Sequence, residues 1–365
     1  MDRNIISLLN MTINMYFREL VVLASANTTP PPDGPKCDYV LDLTNEERAA
    51  AFLYLPQEKW LYLFLLPLIL TLGVIINSLF LFVIGSLKEM QTSTNFYLAN
   101  LAFADVLFLS VSIGQMVSQY VYSPIRRDWL RSGSSIGCCM LNFVVYHTYF
   151  ASIFLVTLIA IERFYAVCWP LKHRPITGKR RSLKLTAGTW AIAAVFAGLY
   201  LFRLAVFQLV CLRWPDKEEY WHLPEVMGTC TPLYAWTNIF SSLTLVIPFY
   251  IAFFVNCILY YLIVRTLTIR TSDENELTAS SSSHAIDSVK VRNNIAKMLI
   301  VNGVVFFVCQ APFQSTAFGS AIVDVVRDEP VLNYKQYLIW TWTAAILLYF
   351  NSVVNPVIYN VMSSR

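Results

Sequence analysis

Charged side chains are scarce in this sequence. Asp, Glu, Lys and Arg make up 14% of its 365 residues, hydrophobic residues reach 56%, and mean hydropathy is +0.53. A soluble globular domain carries about 25% charged residues, so the chain is short of the groups that keep a surface wet. Other absences narrow the function classes. No basic run interleaved with aromatics stands in a water-facing segment, which removes support for nucleic-acid binding. There is no HExxH motif and no phosphate loop, and the short GxSxG match at 133–137 is not accompanied by a recognisable set of paired catalytic groups, so an intramembrane enzyme has little support. There is no internal repeat, and the inverted-repeat pattern of many transporters is missing.

What the sequence does contain is long uncharged runs. Residues 60–87, 132–161, 185–202, 226–264, 298–323 and 336–364 hold no Asp, Glu, Lys or Arg, and 90–125 holds only Asp105. Crossing a bilayer takes roughly 20 apolar residues, so these are seven candidate spans. The expected fold is an all-α integral membrane bundle of seven transmembrane helices over 60–365, preceded by a polar tail over 1–59 that is not expected to pack alone. Residues 271–288, with serines at 280–283, read as a disordered cytoplasmic linker whose serines are candidate phosphorylation sites.

Orientation follows from the loops. Segment 168–184 carries Lys172, Arg174, Lys179, Arg180, Arg181 and Lys184 with no acid, and so reads as cytoplasmic. Arg126, Arg127 and Arg131 on the other side argue weakly against this. The sequons at Asn10 and Asn27 fit an N-terminus outside the cell. The first twenty residues, interrupted by Asn10, Asn14 and Arg18, make a poor signal peptide.

An ionisable group inside a span is costly and usually faces the bundle interior. Asp105 is the only carboxylate deep in a span, and Asn77, Ser152, Asn351, Ser352 and Asn355 are further polar residues at depth. Thr148 lies four residues before Ser152, on nearly the same helical face. Thr148, Ser152, Asn351 and Asn355 could converge with Asp105 on a small hard cation such as sodium, or form a hydrogen-bonded packing node without an ion. His147 is the only histidine within a span. Helical spacing turns it some 140° from Ser152, toward helix four or lipid, which favours a packing role over a pH sensor.

Several motifs occur together and in order. Helix two reads Leu101-Ala102-Phe103-Ala104-Asp105, helix three ends Ile161-Glu162-Arg163-Phe164, and helix seven ends Asn355-Pro356-Val357-Ile358-Tyr359. Asn77, Trp190, Pro248 and the Cys309/Pro312 pair complete one anchor or more per helix. From about residue 60 to the end the chain resembles the rhodopsin-like (class A) G-protein-coupled receptors, of the neuropeptide-receptor type. The resemblance implies a multi-pass plasma-membrane protein in the lipid bilayer. Its implied partners are an extracellular peptide ligand, a heterotrimeric G protein and arrestin.

The resemblance also implies roles. Arg163 matches the arginine that meets the G protein when helix six swings outward, and Glu162 matches its resting partner. Ile153, Pro248 and Phe306 match the core packing switch, and Tyr359 the tyrosine that turns inward on activation. Pro248, Pro312 and Pro356 are also helix kinks, whose freed carbonyls make the helices locally deformable. Cys138 and Cys230 match the family's disulfide, in an oxidising exterior that permits one. Cys37 and Cys211 also lie outside and are left, by elimination, as candidates for a second bridge. No cofactor is expected beyond an allosteric sodium ion at the Asp105 cluster.

The chain departs from the family at three places. Gln310 replaces the helix-six tryptophan, and its amide is expected to bond to ligand or to Tyr149. Asn256 replaces the helix-five tyrosine, so the active-state link to Tyr359 is either lost or taken over by Tyr260. Arg292 stands where some members have an acid, which removes a clasp on Arg163 and is expected to raise basal signalling.

The resemblance places a ligand pocket among Gln115 and Gln119 of helix two, and Asn142, Val145, Tyr146 and Tyr149 of helix three. Gln310, Phe313 and Gln314 of helix six and Thr341, Ala345 and Tyr349 of helix seven complete it. Amine receptors need an aspartate at Val145, and opsins need a lysine in helix seven; neither is present. The mixed amide, phenol and apolar lining suits a peptide terminus, an amidated one above all. Asp216, Glu218, Glu219 and Glu225 in the outer loop would form an acidic rim steering a basic peptide. The alternatives are a lipid or small-molecule receptor of the same fold and, less compatibly, a transporter.

Overall fold

The computed structural model describes residues 36–170, 178–234, 236–277, 283–326 and 334–363. The sequons at Asn10 and Asn27 lie outside them, and nothing is described of the Arg292 side chain. Among the described residues, seven helices are long and apolar enough to cross a membrane: Glu58–Ser86, Ser93–Tyr122, Ser135–Cys168, Lys179–Arg203, Thr237–Ile269, Asn293–Gly319 and Gln336–Val361. Thr92 and Ser134 cap the second and third, their side-chain oxygens accepting from the Asn95 and Gly137 amides at 3.2 Å each. Such caps satisfy N–H groups that a helix start otherwise leaves without partners.

The bundle is apolar outside and polar within. Phe82, Phe254 and Val308 are 70%, 61% and 65% exposed in the isolated chain, while Asn77, Asp105, Asn302, Asn351 and Asn355 are buried. That arrangement suits a hydrocarbon surround, where exposed apolar groups lose nothing and polar groups must find each other. Asn77 Nδ2 donates to the Gly73 and Ser352 carbonyls at 2.9 Å each, joining helix one to helix seven. Trp190 Nε1 donates to Asn100 Oδ1 at 3.2 Å, joining helix four to helix two.

Three boundaries differ from the sequence reading. The uncharged run 226–264 is not one span, because Val226–Thr231 is a β-strand and helix five begins only at Thr237. Counting charges cannot see Pro232, which ends the strand. The cytoplasmic linker is shorter than expected: helix five continues to Leu277 and helix six begins at Ser283. Once a helix is nucleated each added residue costs little, so polar sequence extends it beyond the apolar span. The loop of 168–184 likewise shrinks, since helix three runs to Cys168 and helix four starts at Lys179.

The part of the N-terminal tail that is described packs on the outer loop. Strand β1 (Tyr39–Asp42) runs parallel to β2 (Val206–Arg213), and β2 is antiparallel to β3 (Val226–Thr231). The short helix Glu46–Phe52 closes a small core of Leu41, Leu43, Phe52, Ile125, Leu212 and Met227. Two disulfides fix the assembly, Cys37–Cys211 joining tail to hairpin and Cys138–Cys230 joining helix three to β3. The edge of β3 is covered by the loop between helices two and three: the Trp129 amide donates to the Gly228 carbonyl at 2.8 Å, and the Gly228 amide to Asp128 Oδ1 at 3.0 Å. Gly228 is required there, because a Cβ would come within 2.5 Å of the Leu130 nitrogen.

Candidate functional site

The outer half of the bundle encloses a cavity of about 550 Å³. Of the twelve residues assigned to a pocket from sequence, Gln119, Asn142, Tyr146, Phe313, Thr341 and Ala345 line it. Gln115, Val145, Tyr149, Gln310, Gln314 and Tyr349 are not among the lining residues. Helix-to-helix contacts hold several of these below the cavity. The Tyr349 hydroxyl lies 2.8 Å from Ser112 Oγ and 3.1 Å from Met116 Sδ. Gln314 Nε2 donates to the Tyr149 hydroxyl. The bond expected from Gln310 is therefore made by Gln314, one turn further out and level with Tyr149. Gln310 is buried, and its Oε1 makes no hydrogen bond among the described residues.

The lining also contains residues the sequence reading missed: Tyr54, Tyr62, Arg126, Trp342, Tyr337 and Arg203. Glu58, at the start of helix one and 3% exposed, ties several together. It pairs with Arg126, and its carboxylate accepts from the Leu55 amide at 2.8 Å and from Trp342 Nε1 at 3.0 Å. The Arg126 guanidinium also lies over the Tyr54 ring, 5.6 Å from its centroid. Burial pushes the Tyr54 phenol up to about 12, so it stays a neutral hydrogen-bonding group. No local periodicity marks these residues, since each stands at a span border or in a connecting loop.

The charge of the cavity reverses the expectation drawn from the outer loop. Arg126, Arg127 and Arg203 line it, and Asp216, Glu218, Glu219 and Glu225 do not. Those acids sit in the exposed turn between β2 and β3, where neighbouring Lys217 pairs with Glu46 of the tail helix. The lip of the cavity is therefore not acidic.

Deeper, Asp105 is buried and its Oδ2 accepts from Asn355 Nδ2 at 2.8 Å, with the Ser352 hydroxyl as a second donor. Ser352, one of the polar residues noted at this depth from sequence, is thus a direct partner of Asp105. The hydroxyls of Thr148 and Ser152 donate instead to their own helix, to Val144 O at 2.8 Å and Thr148 O at 3.1 Å. Asn351 Oδ1 and Asn355 Oδ1 are buried without a hydrogen-bond partner among the described residues. His147 faces helix four, with Nε2 3.0 Å from the Trp190 carbonyl, in the packing role its spacing suggested.

At the cytoplasmic end the ion pair expected between Glu162 and Arg163 is not formed. Glu162 pairs with Arg181 of helix four at 2.8 Å, and Arg163 makes no ion pair among the described residues. Arg181 lies in the basic first turn of helix four, and it reaches Glu162 across the interface of helices three and four. Ile153 and Phe306 lie fully buried in the main core, with Pro248 and Pro356 also buried. Asn256 Nδ2 donates to Thr157 Oγ1 at 2.9 Å, while the Tyr260 ring lies against Gly303 of helix six. Tyr359 is buried against Phe80, their ring centroids 5.3 Å apart.

The profile of the 7 transmembrane receptor (rhodopsin family) matches residues 76–359. The chain is 24% identical to growth hormone secretagogue receptor type 1 of Homo sapiens, over 80% of this chain and 75% of that receptor. It is 26% identical to neuromedin-U receptor 2 of Homo sapiens, over 88% of this chain and 74% of that receptor. With neuromedin-U receptor 2 of Mus musculus the identity is 27%, over 88% and 78%. The family match covers the Asp105 cluster, the cytoplasmic Arg163 and the cavity walls from helix two onward, leaving only the lining residues before residue 76 outside it, and the chain belongs to the rhodopsin family of seven-transmembrane receptors.

Proposed function

We propose that this receptor takes one end of an extracellular peptide into its outer cavity and passes the event to a heterotrimeric G protein at Arg163. The observation that carries the reading is the cavity itself. Its volume of about 550 Å³ falls within the range of roughly 300–1,000 Å³ usual for ligand sites. Its lining of phenols, amides and guanidinium groups offers hydrogen bonds of both senses to a peptide backbone. Met227, Thr229 and Cys230 of β3, held to helix three by the Cys138–Cys230 disulfide, give an entering peptide a fixed wall to lie against. Relatives named as receptors for neuromedin-U and for growth hormone secretagogues support a hormone-like ligand.

Two further roles belong to the same reading. Asp105, with the free amide oxygens of Asn351 and Asn355, would hold a sodium ion, with Ser152 and Thr148 lone pairs nearby. When bound, the ion would supply the positive counter-charge that the Asp105 carboxylate lacks among its neutral neighbours Asn355 and Ser352. Arrestin is proposed as a second cytoplasmic partner on the family resemblance alone. A peptide-library screen on cells expressing the receptor, read by calcium and cAMP, tests the peptide reading. A hit is expected to lose activity when Ala345→Trp fills the cavity, and full activity in that variant would reject the assignment.

A further inference from the structure

The three arginines that line the cavity are not equivalent. Arg126 has a built-in counter-ion in Glu58, which is 3% exposed. Arg127 is exposed on the loop between helices two and three. Arg203, half-buried at the outer end of helix four, makes one bond, from Nη1 to Ser242 Oγ at 3.4 Å, and no ion pair among the described residues. Beside it the rings of Tyr146 and Tyr200 lie with centroids 3.8 Å apart. The wall between helices three, four and five therefore presents a guanidinium and three hydroxyls, and among the described residues no acid lines it.

We propose that this wall is an acid-recognising subsite, in which the ligand places a carboxylate against Arg203. The inference rests on the cavity being the peptide pocket, and it names the chemistry that the pocket selects. Arg203 is half-buried, so without a ligand its guanidinium can keep contact with water. A ligand expels that water, and the guanidinium then needs a replacement for its hydration. A neutral or cationic group at this place leaves the charge uncompensated, whereas a carboxylate accepts from the guanidinium fork and from the neighbouring hydroxyls. The same cavity meets the identical need at Arg126 with Glu58, so the lack of an ion-pair partner at Arg203 among the described residues is a local feature of this wall and not a general tolerance of unpaired charge. Discrimination would come chiefly from the penalty on ligands lacking the acid. The carboxylate is either the free C-terminus of a peptide or the side chain of an Asp or Glu near its end.

The direct test is thermal unfolding of purified full-length receptor in lipid nanodiscs with N-acetyl-phenylalanine or its primary amide, at equal concentration and ionic strength. The acid is expected to raise the wild-type midpoint more than the amide does. That excess should vanish in Arg203→Gln and persist in Arg203→Lys and Ser242→Ala, which keep the charge. Equal shifts from acid and amide in wild type, or an excess that survives in Arg203→Gln, would overturn the proposal, and the wild-type comparison decides even where a variant fails to fold. For agonists from the library, converting the free C-terminus to an amide, or each Asp and Glu to its amide, identifies the carboxylate used. The effective change should lower potency about tenfold to a hundredfold on wild type and by less than about twofold on Arg203→Gln. An acid excess without any peptide agonist would reject the peptide reading and leave the subsite standing.

Discussion

The Tyr149 hydroxyl of helix three accepts a hydrogen bond from Gln314 of helix six, and the Tyr149 ring lies 5.9 Å from that of Phe313, which lines the cavity. A ligand that moves Phe313 therefore presses on the bond that ties the two helices together. Tyr149→Phe removes the acceptor and keeps the ring. A hydrogen bond of this kind contributes about 1 kcal/mol net, so the ratio of resting to active receptor should fall roughly fivefold. Basal nucleotide exchange at equal expression measures this, and unchanged exchange would show that the bond does not hold the resting state.

Glu58 and Arg126 form a buried pair whose partners differ in what they lose when separated. Glu58→Gln leaves the guanidinium, with 17% side-chain exposure, against a neutral amide. Breaking one side of a buried pair costs about 3–5 kcal/mol, whereas replacing both with apolar groups is often nearly neutral. Glu58→Gln should lower the unfolding midpoint clearly, and the double variant Glu58→Leu/Arg126→Met should recover most of it. A double variant as unstable as the single one would mean that the Trp342 and Leu55 bonds, and not the ion pair, dominate.

The two disulfides should differ in effect. Cys138–Cys230 anchors β3 to helix three at the cavity wall, while Cys37–Cys211 fastens the tail strand to the outside of the hairpin. Each is expected to stabilise by about 2–4 kcal/mol through the unfolded state. Cys230→Ser should abolish ligand binding and retain much of the protein inside the cell. Cys37→Ser should reach the surface and bind more weakly. Surface labelling with radioligand saturation separates the two, and equal binding in Cys230→Ser and wild type would remove the anchoring role.

The sodium proposal makes a linkage prediction. If the ion favours the resting receptor, raising sodium against a bulky organic cation at constant ionic strength lowers agonist affinity. Asp105→Asn should erase that dependence, and Ser152→Ala should weaken it less. Radioligand competition gives the answer; identical wild-type affinity in the two salts leaves Asp105 as a packing node held by Asn355 and Ser352.

Much of the bundle could be read from the uncharged runs and from the motifs around Asp105, Arg163 and Asn355, because a bilayer imposes length and polarity on each span separately. The outer structure could not. Strand β1 earns its place only by pairing with β2, some 170 residues away, and the Cys37–Cys211 disulfide spans 174 residues. Nothing local at Glu58 signals that it will meet Arg126 and Trp342. Gln314 displaced Gln310 as the partner of Tyr149 because the matching height of two helices is a tertiary property. Arg181 captured Glu162 for the same reason, and the basic stretch that marked the loop as cytoplasmic did not disclose which of its cations would turn inward.

The most direct measurement is nucleotide exchange on a purified heterotrimeric G protein, with receptor in nanodiscs and a peptide agonist from the library. Three receptors are compared at equal amount: wild type, Ala345→Trp with its cavity filled, and Arg163→Ala with its cytoplasmic contact removed. A cavity that receives the peptide and an arginine that transmits the signal require exchange in wild type alone, with Arg163→Ala still binding the peptide. Wild-type exchange from either variant would contradict that division of labour.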